Sequence, residues 1–221
     1  MVPRAMGWLA AALATVTLFA ACTGGPNTIA PPTGPTRSPT GGTHTPEPTP
    51  SRRSPAPAES PVPAESNPPG DIPDSTAFVP YRSKAGGFKI SAPEGWARTT
   101  TSSSVTFTDK LNTIVVSWQP ASTAPTVASA NATDVPQLRK ETRAFRLGKV
   151  GAASLPAGKA ILVDYQVNSE PNKVTGKQYR LDVLRYELFH NGTEGVITLL
   201  SPVGADNVDP WRIVTQSFGW T

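Results

Sequence analysis

The chain has 221 residues, of which 16% are charged and 7% aromatic, and its formal net charge is +4. A single cysteine excludes an internal disulfide and any Cys-rich zinc or iron–sulfur site, and two histidines leave few ligands for a metal. The composition is uneven. Residues 23–77 hold 15 of the 25 prolines and no aromatic residue, whereas residues 78–221 hold 14 of the 16 aromatics. The apolar material for one core therefore lies in the last 144 residues, enough for a single domain.

Residues 1–21 begin with a positive charge at Arg4 and continue as the apolar run LAAALATVTLFAA over 9–21. That run is shorter than the roughly 20 residues of a permanent membrane helix. A basic start, a short apolar run and small residues after it form the pattern of a secretion signal. The stretch Leu18-Phe19-Ala20-Ala21-Cys22 resembles the lipobox of bacterial lipoproteins, with Phe19 where leucine is usual. The resemblance implies cleavage before Cys22, a diacylglyceryl group (palmitate or a similar chain) on its thiol, and anchoring at the outer face of the cell membrane. Two or three acyl chains give stable anchoring, where one is marginal.

Residues 22–77 read as a lipidated cysteine followed by a disordered Pro/Thr-rich tether. Almost no large apolar side chain is present to offset the entropy of ordering. Proline biases such a stretch towards extended conformations, and at about 3.1 Å per residue it would reach roughly 170 Å. Threonines and serines beside proline are possible O-glycan acceptors, and a bare spacer is the plainer reading. His44 lies in this tract.

The remainder, 78–221, alternates strand and helix signals. Phe88–Pro93 alternates and is stopped by Pro93 and the Glu94-Gly95 turn. Ser104–Thr108 and Asn112–Gln119 follow as a hairpin, with Val105, Phe107, Ile114, Val116 and Trp118 on apolar faces. The period then changes. Thr133-Asp134 reads as a cap, and Val135, Leu138, Thr142 and Phe145 recur at helical spacing. Arg139, Arg143 and Arg146 would form a second stripe of that helix.

Lys159–Ser169 alternates most cleanly, with Ile161, Val163, Tyr165 and Val167 on one face. In Lys177–His190 the apolar positions switch from odd to even near Val183-Leu184, which predicts a bulge or bend there. Asn191-Gly192 is a hairpin signal, because a type I′ turn needs positive φ at both centres. A strand from Glu194 to Leu200 follows. Asp209-Pro210 then opens a last helix with the stripe Trp211, Val214, Phe218. About seven strands and two main helices give an α+β domain on a largely antiparallel sheet.

The stretch Phe88-Lys89-Ile90-Ser91-Ala92-Pro93-Glu94-Gly95-Trp96 is similar to the opening of PsbP-like domains. Residues Trp211 to Phe218 resemble their last helix, and residues 186–199 their central hairpin. Actinobacterial lipoproteins of the LpqN-like type share that fold behind a Pro/Thr tether. The resemblance covers about residues 80–221. It implies a PsbP-like α/β/α sandwich and a non-enzymatic role in the envelope, and it supplies no functional residue.

No catalytic motif stands out, and no cofactor or metal is expected. His190 is the only histidine of the folded part; as an acid or base it would need a hydroxyl and a carboxylate, for which composition offers Ser201 and Asp206. Asp164, Asp182, Glu187 and Glu194 show no spacing of a glycosidase pair or calcium loop. Trp96, Trp118, Trp211 and Trp220 read as core filling and helix docking, or as an aromatic-lined groove between helix and sheet. Trp220, beside the carboxy terminus, is the best single candidate for surface contact. The folded part has 16 Lys/Arg against 11 Asp/Glu. Its stripe Arg139, Arg143, Arg146 could meet anionic headgroups, an envelope protein or an acidic wall polymer, or be an ordinary solvated face. Nucleic acid is not expected as a partner. The expectation is a lipid-anchored extracytoplasmic protein with a binding or scaffolding role. The alternatives are a small-ligand carrier and an enzyme acting on envelope material.

Overall fold

The computed structural model describes residues 59–66 and 69–221, all within the compact unit Ser54–Thr221. The expected secretion signal, Cys22, His44 and most of the expected tether lie outside the described residues.

Ten strands are present among the described residues, in two sheets whose pairings are all antiparallel. The small sheet has the order β1–β2–β10, from Phe78–Ser83, Phe88–Pro93 and Gly219–Trp220. The large sheet has the order β3–β4–β5–β9–β8–β7–β6. Its strands are β3 (Ala97–Thr100), β4 (Ser104–Asp109), β5 (Asn112–Pro120), β6 (Arg146–Leu155), β7 (Gly158–Asn168), β8 (Arg180–His190) and β9 (Thr193–Pro202). Strands β1, β3, β6 and β10 go beyond the segments expected from alternation. β3 is wholly exposed and β6 has no fully buried residue, which removes the apolar signal.

The long hairpins form where turn chemistry favours them. Asn191 (φ 45°) and Gly192 (φ 79°) give the type I′ geometry between β8 and β9. The expected bulge at Val183-Leu184 is absent: β8 keeps unbroken register with β9, Val183 opposite Leu200 and Leu184 opposite Leu199. The phase switch has another cause. The sheet is covered on both faces, so Leu181 and Val183 enter one core while Leu184, Tyr186 and Leu188 face the other. The irregularity lies instead in β6, between Leu147 and Lys149.

One core gathers Phe88, Ile90, Phe107, Ile114, Val116, Leu188, Ile197 and Leu199 with Trp211, Val214 and Phe218 of α3 (Val208–Ser217). The small sheet and α3 thus cover one face of the large sheet. Trp211 meets Trp96 edge-on, with centroids 6.4 Å apart, and the Ser91 N–H donates to Ser217 Oγ at 2.7 Å. The expected stripe Trp211, Val214, Phe218 is buried, but the cap is not Asp209. Asn207 occupies the N-cap without a side-chain cap bond, and its amide serves Gly70 and Ile72 instead.

The opposite face is covered by a helical segment that starts earlier than expected. A Thr126/Ser129 capping box opens α1 (Val127–Ser129), a π-helical turn follows over Ala130–Asp134, and α2 is Val135–Glu141. Ala130 and Val135 pack on Ile161, Val163, Tyr165, Val167, Leu181 and Val183. Burial pushes the Tyr165 phenol up to about 12.

The expected tether boundary at 77 moves. Glu59, Ser60, Val62, Glu65, Gly70, Asp71 and Ile72 all bond to the domain, and Ile72 is 5% exposed. A Pro-rich stretch can be fixed without much apolar burial when its backbone groups find side-chain partners.

Candidate functional site

The face shared by Leu184, Tyr186 and Leu188 is roofed only in part. Between α3 and the outer strands β6, β7 and β8 lies a cleft of about 850 Å³. Leu184 and Tyr186 of β8, Leu155 of β6 and Trp211 of α3 supply its apolar wall. Asp164, Asp182, Ser154, Ser201, Thr215 and Gln216 supply polar groups. That mix of a mostly apolar wall and a few convergent polar groups is what small-molecule sites share.

Register brings the two aspartates together. Asp164 lies opposite Leu184, so it is the diagonal neighbour of both Asp182 and Tyr186 on one face. Burial raises the Asp164 carboxyl above its ordinary value; Asp182 adds to the rise and Lys149 opposes it. Burial also raises the Tyr186 phenol, with Asp164 adding to it. Gln166 Nε2 donates to Asp182 Oδ1 at 2.8 Å and fixes that carboxylate. Arg212, on the α3 side, is bound to Asp209 at 2.9 Å. Residues 164 and 182 are 18 apart and carry no motif, so their meeting depends on strand register.

The opposite face holds a second polar group of residues. Glu187 is fully buried, and Arg185 Nε donates to its Oε1 at 2.7 Å. Its Oε2 has no hydrogen-bond partner among the described residues. Burial raises the Glu187 carboxyl, Asp134 and Glu194 add to the rise, and Arg185 pulls it down. Glu194 accepts from Gln119 Nε2 at 2.7 Å.

The three arginines expected on one helical stripe are not on one. The helix stops at Glu141, where Thr142 turns extended and its hydroxyl donates to Leu138 O at 2.7 Å. Ala144, at φ 48°, then redirects the chain. Arg139 stays on α2 and lies over the Phe145 ring at 4.9 Å. Arg143 sits in the turn and pairs with Glu59 at 2.7 Å and Glu170 at 3.7 Å. Arg146 is the exposed first residue of β6. Phe145 still reaches the core, against Tyr165 at 5.2 Å.

Trp220 is half-buried rather than free. It stacks on His190 at 5.4 Å, meets Phe218 edge-on at 5.2 Å, and lies over Gly195. A Cβ at position 195 would come within 2.6 Å of the indole, so glycine makes the space for it. Among the described residues the His190 ring has one hydrogen bond, its Nε2 3.0 Å from the Asn191 amide. His190 pairs with Thr193 and Asp182 with Ser201, at opposite ends of the same ladder. Eight residues at about 3.4 Å each separate His190 from Ser201, so these side chains form no triad.

No family model and no curated protein sequence matches the chain. Solved structures do. Cyanobacterial PsbP (CyanoP) from Synechocystis matches with a TM-score of 0.51 at 15% identity, over 70% of this chain and 100% of that one. LpqN of Mycobacterium tuberculosis, described as involved in cell envelope biogenesis, matches with a TM-score of 0.41 at 15% identity, over 67% and 92%. The Ran-binding protein Mog1p of Saccharomyces cerevisiae matches with a TM-score of 0.44 at 10% identity, over 66% and 96%. At these identities the likeness concerns the fold, and the described chain has the PsbP-like α+β fold.

Proposed function

We propose that this chain is a lipid-anchored, extracytoplasmic binding protein of the cell envelope, whose cleft between α3 and strands β6–β8 takes a small ligand. The cleft carries the reading. A scaffold that offers only its outer surface has no need of an 850 Å³ recess with two aspartates, a tyrosine and hydroxyl groups around it. The anchor rests on Cys22 and the apolar run before it. Among the described residues no helix is long and apolar enough to cross a membrane.

Two measurements test the two halves. Cys22→Ala in the full chain moves the protein from the membrane to the soluble fraction of lysed cells. The neutral dye Nile red gains fluorescence on the folded full chain, and Leu184→Arg removes that gain while the circular dichroism spectrum is kept. Membrane retention of Cys22→Ala would defeat the anchor. Dye binding that ignores Leu184→Arg would defeat the cleft.

A further inference from the structure

The strongest unassigned feature outside the cleft is a notch at the ends of β7 and β8. Asn168 closes β7, is 4% exposed, and binds segment 59–62 through both ends of its amide. Its Nδ2 donates to Ser60 O and to Glu59 Oε1, both at 2.9 Å. Its Oδ1 accepts from the Val62 N–H at 3.0 Å and from Arg180 Nη1 at 3.1 Å. One side-chain amide therefore donates to the Ser60 carbonyl and accepts from the Val62 N–H two residues on, the pairing that a neighbouring strand would offer.

Around it stand donors for one carboxylate. Arg143 Nη2 reaches Glu59 Oε2 at 2.7 Å, and Gln178 Nε2 reaches Glu59 Oε1 at 2.8 Å. These contacts hold the Glu59 carboxyl below its ordinary value, the Asn168 and Gln178 bonds first. Beside them Arg180, 6% exposed, keeps one guanidinium nitrogen without a hydrogen-bond partner among the described residues. Burial and the neighbouring Arg146 both work against its charge. The notch is thus cationic, rich in donors and buried at its base, and what fills it is a glutamate.

The segment that fills it is one of two copies. Pro57-Ala58-Glu59-Ser60 recurs as Pro63-Ala64-Glu65-Ser66, six residues on. The second glutamate is held by Lys177 at 2.5 Å. Proline in each copy favours the extended conformation that the notch requires, so little chain entropy remains to be lost on docking.

We infer that the Asn168 notch is a peptide-binding site for an extended Glu-Ser-Pro-Val segment, filled in this chain by its own residues 59–62. Asn168 reads the main chain, and Arg143 and Gln178 read the glutamate. Docking takes residues 59–77 out of the expected tether, about 59 Å of extended reach at 3.1 Å per residue. It also fixes the point at which the chain leaves the domain. The inference is independent of the anchor and of the cleft.

The Val62 amide is the reporter, since its only acceptor in the site is Asn168 Oδ1. In the full chain its hydrogen exchange is slowed relative to an unstructured peptide, and Glu59→Gln speeds it by about three- to tenfold, the range of a partly exposed charged hydrogen bond. A labelled peptide of residues 57–66 then binds the Glu59→Lys/Glu65→Lys chain at least about tenfold more tightly than the wild type, whose site is already filled. Adding Arg143→Gln, which leaves the sheet untouched, lowers that binding. Peptide-like exchange at Val62 in the wild type would overturn the inference. So would equal peptide binding by the wild-type and charge-reversed chains.

Discussion

Glu187→Ala tests the polar part of the covered face. Glu187 is fully buried, and Arg185 retains 16% of its side-chain exposure. Truncating the acid leaves the guanidinium in low dielectric with its 2.7 Å acceptor gone. Breaking such a pair from one side costs about 3–5 kcal/mol, against a total of about 5–15 kcal/mol for a domain. At roughly 2–4 °C per kcal/mol for a domain this size, the melting temperature falls by about 6–20 °C. Glu187→Gln keeps an acceptor for Arg185 Nε and discards a charge that burial already disfavours, so it costs less, about 1–3 kcal/mol. The double change Arg185→Met/Glu187→Leu removes both charges and fills similar volume; it returns to within about 1 kcal/mol of the wild type or exceeds it. Thermal and urea unfolding of the four proteins decide the matter. A loss under about 1 kcal/mol for Glu187→Ala, or a double variant no more stable than it, would refute the assignment of a buried, mutually dependent pair.

Two further changes probe the other face. Gly195→Val places a side chain where the Trp220 ring now lies, 2.6 Å from the would-be Cβ; it costs about 1–3 kcal/mol and shifts the tryptophan emission as the His190–Trp220 stack opens. Asp164→Asn tests the cleft's electrostatics through pH. The native carboxyl is raised above its unfolded value of 3.8, so its contribution is fully present below that pH and is lost as pH rises through the native value. Asp164→Asn is therefore more stable than the wild type near neutrality, with the advantage vanishing towards pH 3.8; a urea midpoint difference that does not change with pH would contradict this.

What the sequence makes legible follows from how each strand is covered. β7 reads clearly because Ile161, Val163, Tyr165 and Val167 are buried while Leu162, Asp164 and Gln166 are only half-covered. β8 misleads because both its faces carry apolar residues, and a switch between two cores mimics a bulge. β6 is nearly silent, since an edge strand of Gly, Ala, Ser and Lys has little to alternate. The stripe of three arginines dissolves for a local reason: helical spacing continues past Thr142, but the backbone does not. The docked residues 59–66 and 69–72 are hidden for the opposite reason. Their composition predicts disorder, and they are held by partners more than a hundred residues away, Asn168, Gln178 and Asn207, which no local window contains. Asp164 and Asp182 are equally invisible until register sets them on one diagonal.

The cleft itself is a consequence of unequal widths. Seven strands at about 4.8 Å spacing make a sheet roughly 29 Å across. Its cover on the cleft side is three strands, roughly 10 Å across, beside one helix of about 10 Å diameter. About 10 Å is left uncovered, the width of one more helix, and the cleft lies over β6, β7 and β8. There the sequence places Asp164, Asp182 and Tyr186 where β4 and β5 place Val105, Phe107, Ile114 and Val116. Apolar residues at those three positions would leave a greasy open face, a target for aggregation or for a second helix. Polar and aromatic residues together keep the gap soluble and leave hydrogen-bonding groups around it. The same end of the sheet receives the docked segment, whose Gly70 and Ile72 bond to Asn207 on the cleft wall.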